Sequence, residues 1–268
     1  MVALRDITSN PREPAAARGR SARRESIRME TSALLDLVRL IIDGDVVKAS
    51  RRLGATQALA TMALSVGATR QEATDFFFTE ISHYMYGGDT ALHMAAAACS
   101  RPMAELLVSH GADWRTKNRR GAVPLHYASD GNRSEPLAQA GVIEYFISIG
   151  ADPNAVDKSG VAPLHRAVRT RSLAAVRALL DGGANLRQPN KSGSTPLHLA
   201  VQTTGASCSG SDDARTQRAA IIELLLKRGA KPTDKDARGK RVDQAATSEW
   251  IQTLLRNGKA GYTSTGVT

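Results

Sequence analysis

Apolar residues recur along this chain in short blocks at three- and four-residue spacing, the period of a helix with one buried face. Leu34, Leu35, Leu37, Val38, Ile41 and Ile42 form the first block. It predicts a helix within the stretch from Ser32 to Leu53, broken at Asp43-Gly44-Asp45 and followed by a second helix. Ala104-Glu-Leu-Leu-Val108 and Ile221-Ile-Glu-Leu-Leu-Leu226 repeat the pattern further on. The stretch from Ala55 to Val66 suggests one more helix, and Trp250-Ile-Gln-Thr-Leu-Leu255 a last one. The blocks predict an all-α chain.

The blocks are also periodic over a longer range. Thr90-Ala-Leu-His-Met-Ala-Ala96, Val123-Pro-Leu-His-Tyr-Ala-Ser129, Ala162-Pro-Leu-His-Arg-Ala-Val168 and Thr195-Pro-Leu-His-Leu-Ala-Val201 align, with starts 33, 39 and 33 residues apart. Between them recur Gly111-Ala-Asp113, Gly150-Ala-Asp152, Gly183-Ala-Asn185 and Gly229-Ala-Lys231. A threonine such as Thr195 can cap a helix by accepting a bond from an unsatisfied backbone N–H. Pro196 then fills the first helical position, where its missing N–H costs nothing. Leu197 and Ala200 share one buried face, and the glycine of the second motif suits the left-handed end of a helix. Val123 and Ala162 stand where a capping threonine is expected, a loss of about 1 kcal/mol each.

These paired motifs resemble the ankyrin repeat, whose unit of about 33 residues is a β-turn followed by two antiparallel helices. The resemblance implies an ankyrin-repeat solenoid with β-turn fingers and divergent terminal caps. It divides the chain into a disordered basic tail (1–30), a divergent N-terminal helical cap (31–88), repeats with a C-terminal cap (89–258) and a second disordered tail (259–268). Gln244 stands where a repeat would carry histidine, as suits a terminal unit. Residues 130–141 and 203–215 lengthen two repeats and are expected to be loops between their helices.

Composition sharpens this picture. Of 268 residues, 36 are Lys or Arg and 26 Asp or Glu, a net charge of +10. Two cysteines, Cys99 and Cys208, make neither a disulfide framework nor a four-ligand zinc site, so a reducing, cytoplasmic setting is expected. No apolar run reaches the roughly 18 residues of a membrane helix. The Arg-rich stretch 1–30 lacks the apolar core of a signal peptide, and Asp6, Glu13, Glu25 and Glu30 are out of place in a transit peptide.

No constellation for catalysis is found, no cofactor is implied, and the reading is of a protein that is not an enzyme. His93, His126, His165 and His198 recur once per repeat, too far apart to share one zinc ion. The resemblance makes them struts between helix and loop instead. Trp114 is expected half exposed at the start of a finger, and Trp250 in the terminal cap. Phe76-Phe77-Phe78 with Tyr84 and Tyr86 reads either as packing between cap and first repeat or as the edge of a binding surface.

Ankyrin proteins generally bind partners through finger tips and the ends of the first helices. Carried onto this sequence, that surface holds Lys117, Arg119 and Arg120, then Lys158, then Lys191, then Lys235, Arg238 and Lys240, with Arg169 at a helix end. Asp130, Asp157 and Asp236 oppose them. The resemblance thus implies a non-catalytic module binding a protein partner, acidic where it meets this face. The competing reading is nucleic acid or another polyanion held by the same basic face. Shortage of exposed aromatics weighs against the latter.

Overall fold

The structure, a computed structural model, describes residues 15–69, 73–130, 135–202 and 212–260. Cys208, residues 1–14 and residues 261–268 lie outside them. Twelve α-helices among the described residues form two rows. The inner row is α1 (Ala15–Ile42), α3 (Ala91–Ala97), α5 (Pro124–Ser129), α7 (Pro163–Thr170), α9 (Pro196–Val201) and α11 (Val242–Ala245). The outer row is α2 (Val46–Ala55), α4 (Arg101–Ser109), α6 (Pro136–Ser148), α8 (Leu173–Asp181), α10 (Asp212–Lys227) and α12 (Glu249–Ala260). Each helix packs on the next in its own row. One apolar core runs from Leu34 to Leu255.

The ends of the units follow from their residues. Gly44 is left-handed (φ 73°) between α1 and α2, and Asp45 Oδ1 accepts the Lys48 N–H at 2.9 Å to cap α2. Gly111, Gly150, Gly183 and Gly229 close the outer helices at φ between 89° and 100°, a region that favours glycine.

Three expectations are corrected. The first helix begins at Ala15 rather than near Ser32, so residues 15–30 are helical and not a disordered tail; residues 25–30 are exposed. Alanine and arginine are good helix formers, which suits a helix that starts well before Leu34, the first buried residue among those described. The helix expected from Ala55 to Val66 shrinks to one 3-10 turn, Gln57–Ala60. Residues 63–68 instead pair with 85–90: Leu64 N–H donates to the Asp89 carbonyl at 2.7 Å and Ala68 N–H to the Met85 carbonyl at 2.8 Å. Gly67 is required there, because a Cβ would collide with the Tyr86 backbone. The inserted segments 130–141 and 203–215 are not wholly loops. Residues 136–141 and 212–215 are the opening turns of α6 and α10, of 13 and 16 residues against nine for α4 and α8. Pro136 at a first helical position and Asp212 and Asp213 in a first turn suit helix starts.

Candidate functional site: a basic groove under the fingers

Each finger is built by one side chain. Asn118 Oδ1 accepts the backbone N–H groups of Arg120 (2.9 Å) and Ala122 (3.0 Å). Asp157 does the same for Ser159 and Val161, Asn190 for Ser192 and Ser194, and Asp236 for Arg238 and Lys240. These short side chains mimic a backbone turn. Lys240 and Arg238 N–H groups hold the Asp236 carboxyl below its ordinary range, the Lys240 bond most strongly.

Successive fingers are then tied by single backbone bonds. Arg119 N–H donates to the Gly87 carbonyl (2.9 Å), Lys158 to Arg120 (2.9 Å), Lys191 to Ser159 (3.1 Å) and Ala237 to Ser192 (3.1 Å). Three of the expected cations, Arg119, Lys158 and Lys191, therefore occupy equivalent places on a ladder. Gly160 must come so close to the next finger that a Cβ would stand 2.8 Å from Lys191 N.

Beneath the fingers, the inner helices are locked by their histidines. Each Nδ1 accepts an N–H at the start of its own helix, from Thr90, Val123, Ala162 or Thr195, at 3.1–3.2 Å. Each Nε2–H therefore donates onward, to the carbonyls of Ala122 (3.2 Å), Val161 (3.0 Å), Ser194 (3.1 Å) and Lys240 (3.4 Å) in the following unit. With both nitrogens engaged, the rings are struts. Burial keeps His93, His126 and His165 below the usual imidazole range, His126 at about 4. In the cap, Gln244 Oε1 accepts the Arg241 N–H at 3.0 Å and replaces the first half of that device.

All nine residues expected to meet a partner are exposed. Arg119, Arg120, Lys158 and Arg169 share one groove of about 510 Å³, whose wall also carries His83, Tyr86, Tyr127 and Arg166. Five basic side chains and two carboxylates, Asp130 and Asp157, line it. Lys191 stands one rung further along the ladder. Lys117, Lys235, Arg238 and Lys240 do not line this groove.

Arg166, Tyr127 and Asp89 form a floor that reading the sequence missed. Arg166 Nη1 meets Asp130 at 2.6 Å and Nη2 meets Asp157 at 3.2 Å, with its side chain only 10% exposed. Burial opposes its charge, but the two carboxylates outweigh burial and raise its pKa. Asp157 is likewise pushed up by burial, yet its two backbone donors and Arg166 bring it below the ordinary carboxylate range. Asp130 also binds Arg169 at 3.1 Å, so Arg169 is not a lone surface cation. Tyr127 donates to Asp89 Oδ2 at 2.8 Å, and Asn118 Nδ2 donates to Asp89 Oδ1 at 2.9 Å. Burial and the Asp89 charge raise the Tyr127 phenol. The signal was present: Tyr127 and Arg166 each directly follow a strut histidine, where Met94 and Leu199 stand in the other repeats.

The aromatic cluster is partly packed on the core and partly open to the groove. Phe76 and Phe78 pack on the core, while Phe77–Phe78 (β1) and His83–Tyr84 (β2) pair as a hairpin. His83 lies against Tyr127 with centroids 4.6 Å apart, and Tyr86 turns to the groove beneath Arg120. Cys99 is buried. Trp114 is half-buried and Trp250 packs against the core. Among the described residues no group of His, Cys, Asp and Glu is placed to hold a metal ion, and no helix is long and apolar enough to cross a membrane.

Comparison with known proteins agrees with this architecture. A family model described as ankyrin repeats (three copies) matches residues 136–236, and a single ankyrin-repeat model matches residues 87–119. Together they span half of the chain. No curated protein matches it.

Proposed function

The chain belongs to the ankyrin-repeat family, and we propose that it takes an extended, acidic segment of a protein partner into the groove beneath its fingers. Ankyrin repeats are generally protein–protein interaction modules and typically non-catalytic. One observation carries the finer reading: Arg119, Lys158 and Lys191 stand on consecutive rungs of a hydrogen-bonded ladder. The backbone fixes their spacing before any ligand arrives, so little ordering is left to do on binding. Arg169 is partly neutralised by Asp130, and Lys117, Lys235, Arg238 and Lys240 add exposed positive charge outside the groove. A segment with successive acidic groups matches this row and is steered to it by charge.

The test replaces Arg119, Arg120, Lys191 and Arg238 together by Ser. A labelled Glu-rich decapeptide, followed by anisotropy, should bind the natural chain and weaken at least tenfold with the variant. Its affinity should also fall with added salt. Unchanged melting would show that the fold survives. Equal binding by both chains would sink the proposal, and tighter binding of a single-stranded oligonucleotide of equal charge would favour a polyanion ligand.

A further inference from the structure

The basic groove ends at a second cavity, and the two share Tyr86, Arg119 and Arg120. Among the described residues, this second cavity, of about 280 Å³, is also lined by Tyr84 and the small residues Ala68, Thr69 and Ala73. Its chemistry differs from that of the groove floor. Arg166 and Arg169 are engaged by carboxylates, whereas Arg119 and Arg120 have no acidic partner among the described residues.

One guanidinium group is held against a ring, and the other residue is fixed through its backbone. Arg120 lies 4.0 Å over the Tyr86 ring centroid, a cation–π arrangement. Arg119 Nη1 covers Gly87, 3.9 Å from where a Cβ would stand, and its own N–H is bonded to the Gly87 carbonyl. Tyr86 is backed by Tyr84 at 6.1 Å between centroids, and Tyr84 by Phe77 at 4.6 Å. Two cations without an acidic partner among the described residues thus stand side by side, one of them seated on an aromatic ring.

We propose that this ridge is a subsite for a phosphorylated aromatic side chain of the bound segment. It rests on the proposed docking function and names the group that anchors the segment. Two guanidinium charges are matched by a phosphomonoester, with about −1.5 to −2 charges and three acceptor oxygens, and only half matched by a carboxylate. The guanidinium fork suits phosphate oxygens in pairs. Tyr84 and Tyr86 line the cavity beside the attached ring, and its volume exceeds the roughly 150 Å³ that takes a benzene ring. An acidic row with one phosphorylated aromatic residue is then a segment read at two places: charge along the ladder, ring and phosphate at its end.

The probes are phenyl phosphate, phenylacetate and inorganic phosphate, titrated into the full chain at fixed ionic strength by calorimetry. Phenyl phosphate should bind at least tenfold tighter than either of the others. Arg119→Ser and Arg120→Ser should each weaken it at least fivefold, while Arg39→Ser, a cation removed on the far helix α1, should not. Thermal melts show whether each variant is folded. The proposal is overturned if phenylacetate or inorganic phosphate binds as tightly, or if both arginine variants keep full affinity. Lys191 and Arg238 do not line this cavity. A Lys191→Ser, Arg238→Ser chain that loses the Glu-rich peptide but keeps phenyl phosphate therefore separates the two proposals.

Discussion

The second and third repeats (α5 to α8) and the fourth repeat with its cap (α9 to α12) share a frame and differ in what lies on it. Both halves build their fingers with one Asn or Asp accepting two N–H groups. Both begin with a histidine that ties one unit to the next, although the bond from His198 is the longest of the four at 3.4 Å. Their floors differ. Tyr127 and Arg166 hold a polar network under the fingers, while the fourth repeat has Leu199 at the same place. The frame therefore gives shape, and the one position after each histidine gives the floor its chemistry.

The most damaging way to break this difference is to write the fourth repeat's residue into the third. Arg166→Leu leaves Asp130 and Asp157 close together without their cation, in a site largely shielded from water. Removing one partner of such a pair costs about 3–5 kcal/mol. Urea unfolding should show a loss of that order, most of it recovered when Asp130→Asn and Asp157→Asn are added. A loss that persists in the triple variant would mean that Arg166 acts by packing rather than by charge.

Acid attacks the struts next. Burial, with Arg166 adding to it, brings the His126 pKa from 6.5 to about 4. The unfolded chain takes up this proton near 6.5 and the native chain only near 4. The unfolded state binds more protons in between, so stability present above pH 6.5 is lost as the pH falls towards 4. The loss from His126 is on the order of 3 kcal/mol. His126→Gln, which imitates Gln244 in the cap, keeps an acceptor for the Val123 N–H and removes the titration. Melts from pH 7 to 4 should fall less steeply for this variant, and an unchanged slope would assign the acid sensitivity elsewhere.

A smaller contrast separates two finger residues. Asn118 builds its turn and also donates to Asp89 and to the Tyr127 hydroxyl oxygen, whereas Asn190 builds its turn. Asn118→Ala should cost about 2 kcal/mol and Asn190→Ala about 1 kcal/mol, because the first also strips a donor from a buried carboxylate. Equal losses in chemical denaturation would show that the network beneath the first finger adds nothing.

What was legible in the sequence follows the same division. The frame could be read because its contacts are local or recur at the repeat: Pro196 at a helix start, Gly111 at a helix end, His126 reaching the next unit. The floor was harder to read: the position after each histidine marks Tyr127 and Arg166 as departures, but Arg166 finds Asp130 36 residues away and Asp157 nine residues away, partners that no repeat spacing marks. The expected helix after Ala55 failed for a like reason. Its residues are claimed by a backbone pairing with 85–90, and Gly67 is spaced for that contact rather than for a helix.

The smallest expected effect concerns the missing threonines. In the first and fourth repeats the threonine hydroxyl faces the strut, with Oγ1 at 3.0 Å from His93 Nδ1 and 2.9 Å from His198 Nδ1. Its contact with a helix N–H is long where it exists, 3.5 Å from His198 N. Threonine therefore acts chiefly by donating to the ring nitrogen, and less as the helix cap expected from the sequence. Val123→Thr swaps one methyl for a hydroxyl beside His126 Nδ1, at a site only 6% exposed. One buried hydrogen bond, less the desolvation of the hydroxyl, should stabilise the chain by about 0.5 kcal/mol. Ala162→Thr must also fit two extra heavy atoms at 3% exposure, and that strain should bring its gain close to zero. Paired urea titrations can order the two. If Ala162→Thr stabilises more than Val123→Thr, room rather than the ring nitrogen governs this position, and the strut gains nothing from its threonine.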